Sequence, residues 1–190
     1  TGFYAHLHWS PDSEKIAYVD NGRNLYITTV ATGKTQKVAQ DVLYQPGEYR
    51  DLFGSWSADG NWLAYTLITN TNFEQAYVYS LSENKSYPIS DGLSNVTEPT
   101  FDPSGKYLYL TASTDAGPVV NWFDQSNQDM TSSNALYLIT LQKEVKSPFA
   151  KENDVEKIAE AEEAQKEDKK EEDVPTLKID WDGIMDRMVS

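Results

Sequence analysis

The sequence predicts an all-β fold: a partial β-propeller of three four-stranded antiparallel blades, with a charged insertion in the third. The prediction depends on three segments that align without gaps: WSPDSEKIAY (9–18), WSADGNWLAY (56–65) and FDPSGKYLYL (101–110). Their aromatic first residues, which we call the anchors, are Trp9, Trp56 and Phe101 and lie 47 and 45 residues apart. A repeat of this length that holds several short strands is typical of propeller blades.

Each repeat contains four short runs of β-branched and aromatic residues, separated by turn residues, as expected of antiparallel strands. The anchor ends the first, innermost strand, and we expect it to pack between neighbouring blades. A tight turn follows each anchor, and an aspartate recurs there at Asp12, Asp59 and Asp102. Hydrogen bonds from turn amides to these carboxylates explain the recurrence without catalysis or calcium.

The repeats place blade 1 at about 1–40, blade 2 at about 50–90 and blade 3 at about 97–190, with an insertion over 143–182. Within the insertion, residues 151–173 hold 11 acidic side chains and five lysines. Such a stretch buries too little apolar surface to offset its ordering entropy. We interpret it as a solvated spacer, disordered or a frayed helix, with an acidic docking arm as the alternative.

Composition excludes several classes of function. The 190 residues include 30 acidic and 16 basic side chains, for a formal net charge of −14, and no cysteine. A surface this acidic repels phosphate backbones, so we expect no nucleic-acid partner. The sequence has no apolar run of membrane-spanning length and no disulfide or thiolate chemistry. We expect neither a membrane partner nor a cofactor.

Two enlarged loops are the candidate binding elements. In an antiparallel blade, the loops after the second and fourth strands emerge on one face, and both enlargements, at about 40–51 and 114–133, fall there. Trp122 and Phe123 beside Asp124 could form an aromatic platform, and Arg50 could pair with a peptide carboxylate. Alternatively, the two aromatic side chains pin their own loop to the blade rim or pack on another domain.

Other candidate sites are weaker. His6 and His8 stand two apart on a predicted strand and so share a face, but no third metal ligand is apparent. We expect ordinary strand histidines and no metal. No serine lies in a G-x-S-x-G elbow. We assign no catalytic residue.

The repeat W-S-x-D-G-x-x-L-A-Y resembles that of TolB, tricorn protease and related propellers. A more specific resemblance lies in residues 91–125, which end in TDAGPVVNWFDQ, and in SPFAKEND (147–154). Together with the charged insertion and KIDWDGIMDRMVS (178–190), they resemble the second propeller of tricorn-type proteases.

Tricorn-type proteases are large serine peptidases that trim peptides, and their catalytic domains follow two propellers. The resemblance therefore implies a non-catalytic module that gives peptide substrates access to an active site elsewhere in the parent chain. It also implies a cytoplasmic location. The periplasm is the alternative, because any signal peptide would precede Thr1.

Known propellers have more than three blades. We therefore expect the remaining blades and the catalytic domains of the parent chain as partners, or self-association of two copies. A TolB-like propeller that binds a protein partner and has no catalytic role is the alternative function. A prolyl-oligopeptidase-type propeller is a further option within the peptidase class.

Overall fold

The computed structural model describes residues 2–42, 50–115, 131–150 and 176–190. It contains the strands β1 (Tyr4–Trp9), β2 (Lys15–Asp20), β3 (Asn24–Thr29), β4 (Lys34–Gln40), β5 (Phe53–Trp56), β6 (Trp62–Ile68), β7 (Glu74–Ser80), β8 (Lys85–Pro88), β9 (Asn95–Phe101), β10 (Tyr107–Ser113), β11 (Ala135–Thr140) and β12 (Met188–Val189). A 3₁₀ turn over Met185–Arg187 is the one helical element in these ranges. None of their helices is long and apolar enough to cross a membrane.

The strands form three antiparallel sheets, ordered β1-β2-β3-β4, β5-β6-β7-β8 and β9-β10-β11-β12. We call them blades 1, 2 and 3. The predicted architecture of three four-stranded antiparallel blades is confirmed. Residues 151–175 of the predicted insertion lie outside the described residues.

The turn after each first strand has the predicted chemistry. The carboxylates of Asp12, Asp59 and Asp102 each accept a hydrogen bond from the backbone N–H two residues further on, at 2.9, 3.1 and 3.0 Å. The third residue of each turn has a positive φ: 59° at Ser13, 65° at Gly60 and 70° at Gly105. Glycine adopts this conformation freely. These aspartates are therefore turn residues, as the repeat predicts.

The apolar core lies between the blades as two buried clusters. Between blades 1 and 2 the cluster comprises Ala17, Val19, Leu25, Ile27, Leu52, Trp56, Leu63, Tyr65 and Tyr79. Between blades 2 and 3 it comprises Ala64, Ala76, Val78, Ile89, Val96, Phe101, Leu108, Leu110, Ala112, Ile139 and Leu141, with Leu177 and Ile184 from the C-terminal segment. Successive strand residues thus face opposite interfaces, as the two-residue period of a strand requires.

The anchors are buried where a preceding blade is present to cover them. Trp56 is 8% exposed and Phe101 6% exposed, each packed toward the preceding blade, whereas Trp9 is 56% exposed. The Trp56 indole N–H also donates to the carbonyl oxygen of His8 in blade 1, at 3.4 Å. The predicted packing of the anchor between blades is confirmed for Trp56 and Phe101. Trp9 differs because no described residues cover the outer side of blade 1.

The innermost strands of blades 2 and 3 approach very closely. A Cβ atom added at Gly54 would lie 2.3 Å from the carbonyl oxygen of Pro99, so only glycine fits at this position. The neighbouring Ser55 hydroxyl donates to that same carbonyl at 3.2 Å and accepts from the N–H of Phe101 at 2.8 Å. Backbone groups that the β9 bulge leaves without strand partners are thereby satisfied.

The C-terminal segment crosses the groove between blades 2 and 3. The Leu177 N–H donates to Asp59 at 2.9 Å, and the Trp181 ring stacks on Tyr87 with 3.9 Å between ring centroids. The Asp182 carboxylate pairs with Lys143 at 2.6 Å. The Trp181-Asp182 dipeptide therefore belongs to this crossing segment and not to a blade strand.

We expect Trp56→Ala to lower the free energy of unfolding by about 3–5 kcal/mol, since it removes a buried aromatic ring from the interface between blades 1 and 2. Urea unfolding followed by far-UV circular dichroism measures the change. Trp9→Ala is the matched control, because it alters the same repeat position on an uncovered surface. Equal losses in the two variants would contradict this account of the anchors.

Candidate functional site

The described ends of the two enlarged loops follow a fourth and a second strand and so lie on one face of the blades, which we call the loop face. Arg50, at the end of the first loop, contacts Glu74, the first residue of β7. The Glu74 N–H donates to the Asn95 side chain at 2.9 Å, and Asn95 is the register partner of Ser113. The Ser113 hydroxyl donates to Asp115, where the second loop begins, at 2.7 Å. Polar contacts and the pairing of β9 with β10 therefore connect the described ends of both loops.

Arg50 is held by two carboxylates and a threonine. Its Nε and Nη2 groups donate to both oxygens of Asp41, at 2.9 to 3.1 Å. Its Nη1 donates to Glu74 at 2.8 Å and to the Thr66 hydroxyl at 2.7 Å, and Nη2 donates to the Thr66 carbonyl at 3.0 Å. All five N–H bonds of a guanidinium are therefore used.

The hydrogen bonds that Arg50 already makes compete with its predicted contact to a peptide. Asp41 is only 3% exposed and also accepts the Ile68 N–H at 2.8 Å, so it is fixed in place. One guanidinium thus faces two carboxylates, and an incoming peptide carboxylate would have to displace one of them. The peptide contact at Arg50 stays a prediction, and the role that the geometry supports is to fasten the first loop to β6 and β7.

Glu74 is the second, weaker-held carboxylate of this group. Burial raises the pKa of Glu74, and the nearby negative charge of Asp41 adds to the rise. The positive charge of Arg50 and a hydrogen bond from Thr66 act in the opposite direction but do not outweigh burial. Arg50 donates to Asp41 through two of its nitrogen atoms and to Glu74 through one. The negative charge of Glu74 is therefore the less well compensated of the two.

Asp115 closes the base of the second loop. Its carboxylate accepts the Ser133 N–H at 3.1 Å and the Ser133 hydroxyl at 2.5 Å. These bonds, together with one from Ser113, hold the pKa of Asp115 well below its usual range. Both ends of the segment between Asp115 and Ser133 are thus tied to one point on blade 3. The predicted contact residues Trp122, Phe123 and Asp124 lie within that segment, outside the described residues.

His6 and His8 meet a carboxylate that sequence reasoning missed. The Asp51 Oδ2 atom lies 2.7 Å from His8 Nε2 and 3.6 Å from His6 Nδ1, and the His8 ring stacks on Phe53 at 4.0 Å between centroids. His6 occupies a bulge of β1 with a φ of 55°. Among the described residues, no group of three or more His, Asp or Glu side chains is arranged to hold a metal ion.

We expect Arg50→Ala to lower the free energy of unfolding by about 3 kcal/mol, because it leaves the buried Asp41 without its counter-ion. Urea unfolding measures the loss. Lys143→Ala is the matched control, since it breaks an ion pair of similar length on the exposed surface, where we expect no measurable change. A wild-type stability for Arg50→Ala would contradict the fastening role.

The raised pKa of Glu74 predicts a pH dependence that Glu74→Gln removes. Protonation of Glu74 favours the folded chain, so this stabilisation is complete below the ordinary value of 4.5 and is lost as the pH rises through the raised pKa. The stability of the native chain relative to Glu74→Gln should therefore fall as the pH rises from about 4.5. Urea unfolding of both chains at stepped pH measures this difference, and a constant or rising difference would contradict it.

Comparison with known proteins agrees with this architecture. Residues 1–190 match the sequence profile of the tricorn protease second beta propeller domain. The crystal structure of the tricorn protease is similar with a TM-score of 0.64 and 14% identity, over 98% of this chain and 17% of that chain. TolB from Acinetobacter baumannii gives a TM-score of 0.48 and 19% identity, over 75% of this chain and 31% of that chain.

A curated relative is the uncharacterized peptidase YuxL of Bacillus subtilis (strain 168). It is 25% identical over 125 residues, which are 64% of this chain and 19% of the relative. The chain thus spans less than a fifth of YuxL and of the tricorn protease. Because the profile matches along its whole length and the fold is that of three propeller blades, the chain belongs to the family of the tricorn protease second β-propeller domain.

Proposed function

We propose that this chain is a non-catalytic propeller segment of a tricorn-type serine peptidase. It guides or filters peptides toward an active site that lies elsewhere in the parent polypeptide. The observation that supports this most is membership of the tricorn second-propeller family along the whole chain. The proposal assigns no catalytic residue to the chain, in keeping with the lack of a nucleophile motif in its sequence.

The loop face is the proposed peptide-contact surface. Both enlarged loops begin on it, and hydrogen bonds tie the base of each one to the blades, through Arg50 in the first and Asp115 in the second. Rigid strands that hold long loops are a frequent arrangement for binding. Trp122, Phe123 and Asp124 are the side chains that we propose to contact peptides, with the aromatic pair providing most of the affinity.

The proposal also implies partners and a location. We propose that the outer sides of blades 1 and 3 are covered by remaining blades of the parent chain, because Trp9 and Leu136 are exposed there. The catalytic domains of the same chain would receive the peptides. We propose a cytoplasmic location by family membership, with the periplasm as the alternative.

Peptide binding by the 190-residue chain tests the proposal. Short fluorescently labelled peptides of mixed sequence should bind in an anisotropy titration and remain uncleaved by mass spectrometry. The double variant Trp122→Ala/Phe123→Ala should weaken binding about tenfold, because aromatic anchors provide most of the affinity of such contacts. Phe149→Ala is the matched control: it removes an exposed ring from the loop after β11, on the opposite face.

Three outcomes would contradict the proposal. Equal peptide affinities in the double variant and the native chain would remove the loop face from the binding role. No binding of peptides, together with specific capture of a folded protein, would favour the alternative of a protein-interaction propeller. Hydrolysis that persists after rigorous purification would show that the chain has its own catalytic group.

A further inference from the structure

The C-terminal segment binds the groove between blades 2 and 3 through one backbone hydrogen bond and one large side chain. The Trp181 ring lies against two aromatic rings of blade 2, at 3.9 Å from Tyr87 and 5.7 Å from Trp62 between centroids. The N–H of the preceding residue, Asp180, donates to the carbonyl oxygen of Leu141 in blade 3 at 2.9 Å. This groove therefore shows how an extended segment can lie between two blades.

The groove between blades 1 and 2 contains a cavity of about 230 Å³ at the equivalent place. Its lining includes Lys15, Lys34 and Gln36 of blade 1 and Leu81 of blade 2. By their places in the repeat and in the strand register, these four residues correspond to Trp62, Lys85, Tyr87 and Leu141. Leu141 is fully buried, whereas Leu81 is only partly buried. The cavity thus lies where the other groove holds the C-terminal segment.

The two grooves differ at the residues that contact the Trp181 ring. Where blade 2 has the aromatic rings of Trp62 and Tyr87, blade 1 has the ammonium group of Lys15 and the amide of Gln36. Hydrogen-bond donors thus replace a surface for ring stacking. The side chain that complements such a site carries an acceptor, and a carboxylate makes the strongest bonds to these donors.

Lys34 supplies the positive charge of this groove that is not yet paired. Its equivalent in blade 2, Lys85, lies over the Tyr87 ring with 4.5 Å from Nζ to the centroid. Blade 1 has Gln36 in place of that ring. Within the described part of the chain, no carboxylate lies within ion-pair distance of Lys34. A carboxylate brought into the cavity would therefore meet an unpaired ammonium group.

Lys15 already has partners and plays a different part. Its Nζ atom lies 2.8 Å from the carboxylate of Asp12 and 3.9 Å from that of Glu14. In blade 2 the equivalent aspartate, Asp59, accepts the backbone N–H of Leu177 from the C-terminal segment. Lys15 thus takes the place of that N–H in blade 1. An occupant of this groove has no need to bind the turn aspartate, and its recognition falls mainly on Lys34 and its surroundings.

We propose that the groove between blades 1 and 2 is a second peptide-contact site, which binds an extended peptide with a Glu or Asp side chain beside Lys34 and Gln36. The N–H of the preceding peptide residue donates to the carbonyl oxygen of Leu81, as Asp180 does to Leu141. The inference rests on the proposed function, since the occupant is a peptide substrate of the parent peptidase. The site lies on the face opposite the loop face and shares no residue with it.

Two labelled peptides test the preference for a carboxylate. Both copy residues 177–185, and they carry the changes Trp181→Glu and Trp181→Lys. In anisotropy titrations of the 190-residue chain, the glutamate peptide should bind about tenfold more tightly than the lysine peptide, because the lysine would face Lys34. Equal affinities, or tighter binding of the lysine peptide, would overturn the proposal.

Lys34→Gln should weaken binding of the glutamate peptide by about threefold to fivefold, because it removes the unpaired charge from a partly exposed site. Lys85→Gln is the matched control: it changes the same repeat position in blade 2, where the C-terminal segment already lies, and should leave the affinity unchanged. A preference for glutamate that survives Lys34→Gln would place the binding elsewhere and overturn the proposal.

An exchange of groove residues tests the equivalence of the two grooves. The double variant Lys15→Trp/Gln36→Tyr copies the aromatic residues of blade 2 into blade 1. The peptide of residues 177–185 with its native Trp181 should then bind more tightly than the glutamate peptide, which reverses the order in the native chain. An unchanged order in a variant with a native circular dichroism spectrum would contradict the proposal.

The outcome can be separated from that of the proposed function. If peptides of mixed sequence bind the native chain but the glutamate peptide does not, the groove site is overturned and the proposed function stands. If neither binds, both fail. Protection of Lys34 from acetic anhydride in the chain alone would mean that its own acidic residues 151–173 fill the groove, and this too would overturn the proposal.

Discussion

Packing of an aromatic anchor against the preceding blade is the constraint on which the rest of this structure depends. A four-stranded sheet of this kind has two apolar faces and cannot bury either one alone. The clusters around Trp56 and Phe101 bury one face of blade 1, both faces of blade 2 and one face of blade 3. Blade 2 thus provides the centre of the described structure.

The loop face depends on that packing for its geometry. Arg50 can bind Asp41 and Glu74 together only because the sheets of blades 1 and 2 hold the end of β4 beside the start of β7. The guanidinium then sets the point at which the chain leaves the first loop and enters blade 2. Removal of the ion pairs would therefore disturb the position of the loop as well as the stability of the core.

The register of the repeats was predictable from sequence because it is a local property. Anchors, tight turns and the turn aspartates each depend on residues within ten positions of one another, and the structure confirms them. The partners of Arg50 were not predictable, since Asp41 and Glu74 lie in different blades and no periodic pattern marks them. The same is true of Asp51, which joins His6 and His8 only after two blades pack.

The two ends of the blades differ in a way that separates structural from functional positions. At one end, each turn after a first strand has an aspartate that accepts the N–H two residues further on, and Asp59 also accepts the Leu177 N–H of the C-terminal segment. At the other end, the three blades have different loops and different contacts, from the ion pairs of Arg50 to the serine bonds of Asp115. Blade folding alone accounts for these similar turns. The enlarged loops vary where the turns after the first strands do not, which is why the peptide contact is proposed for the loop face.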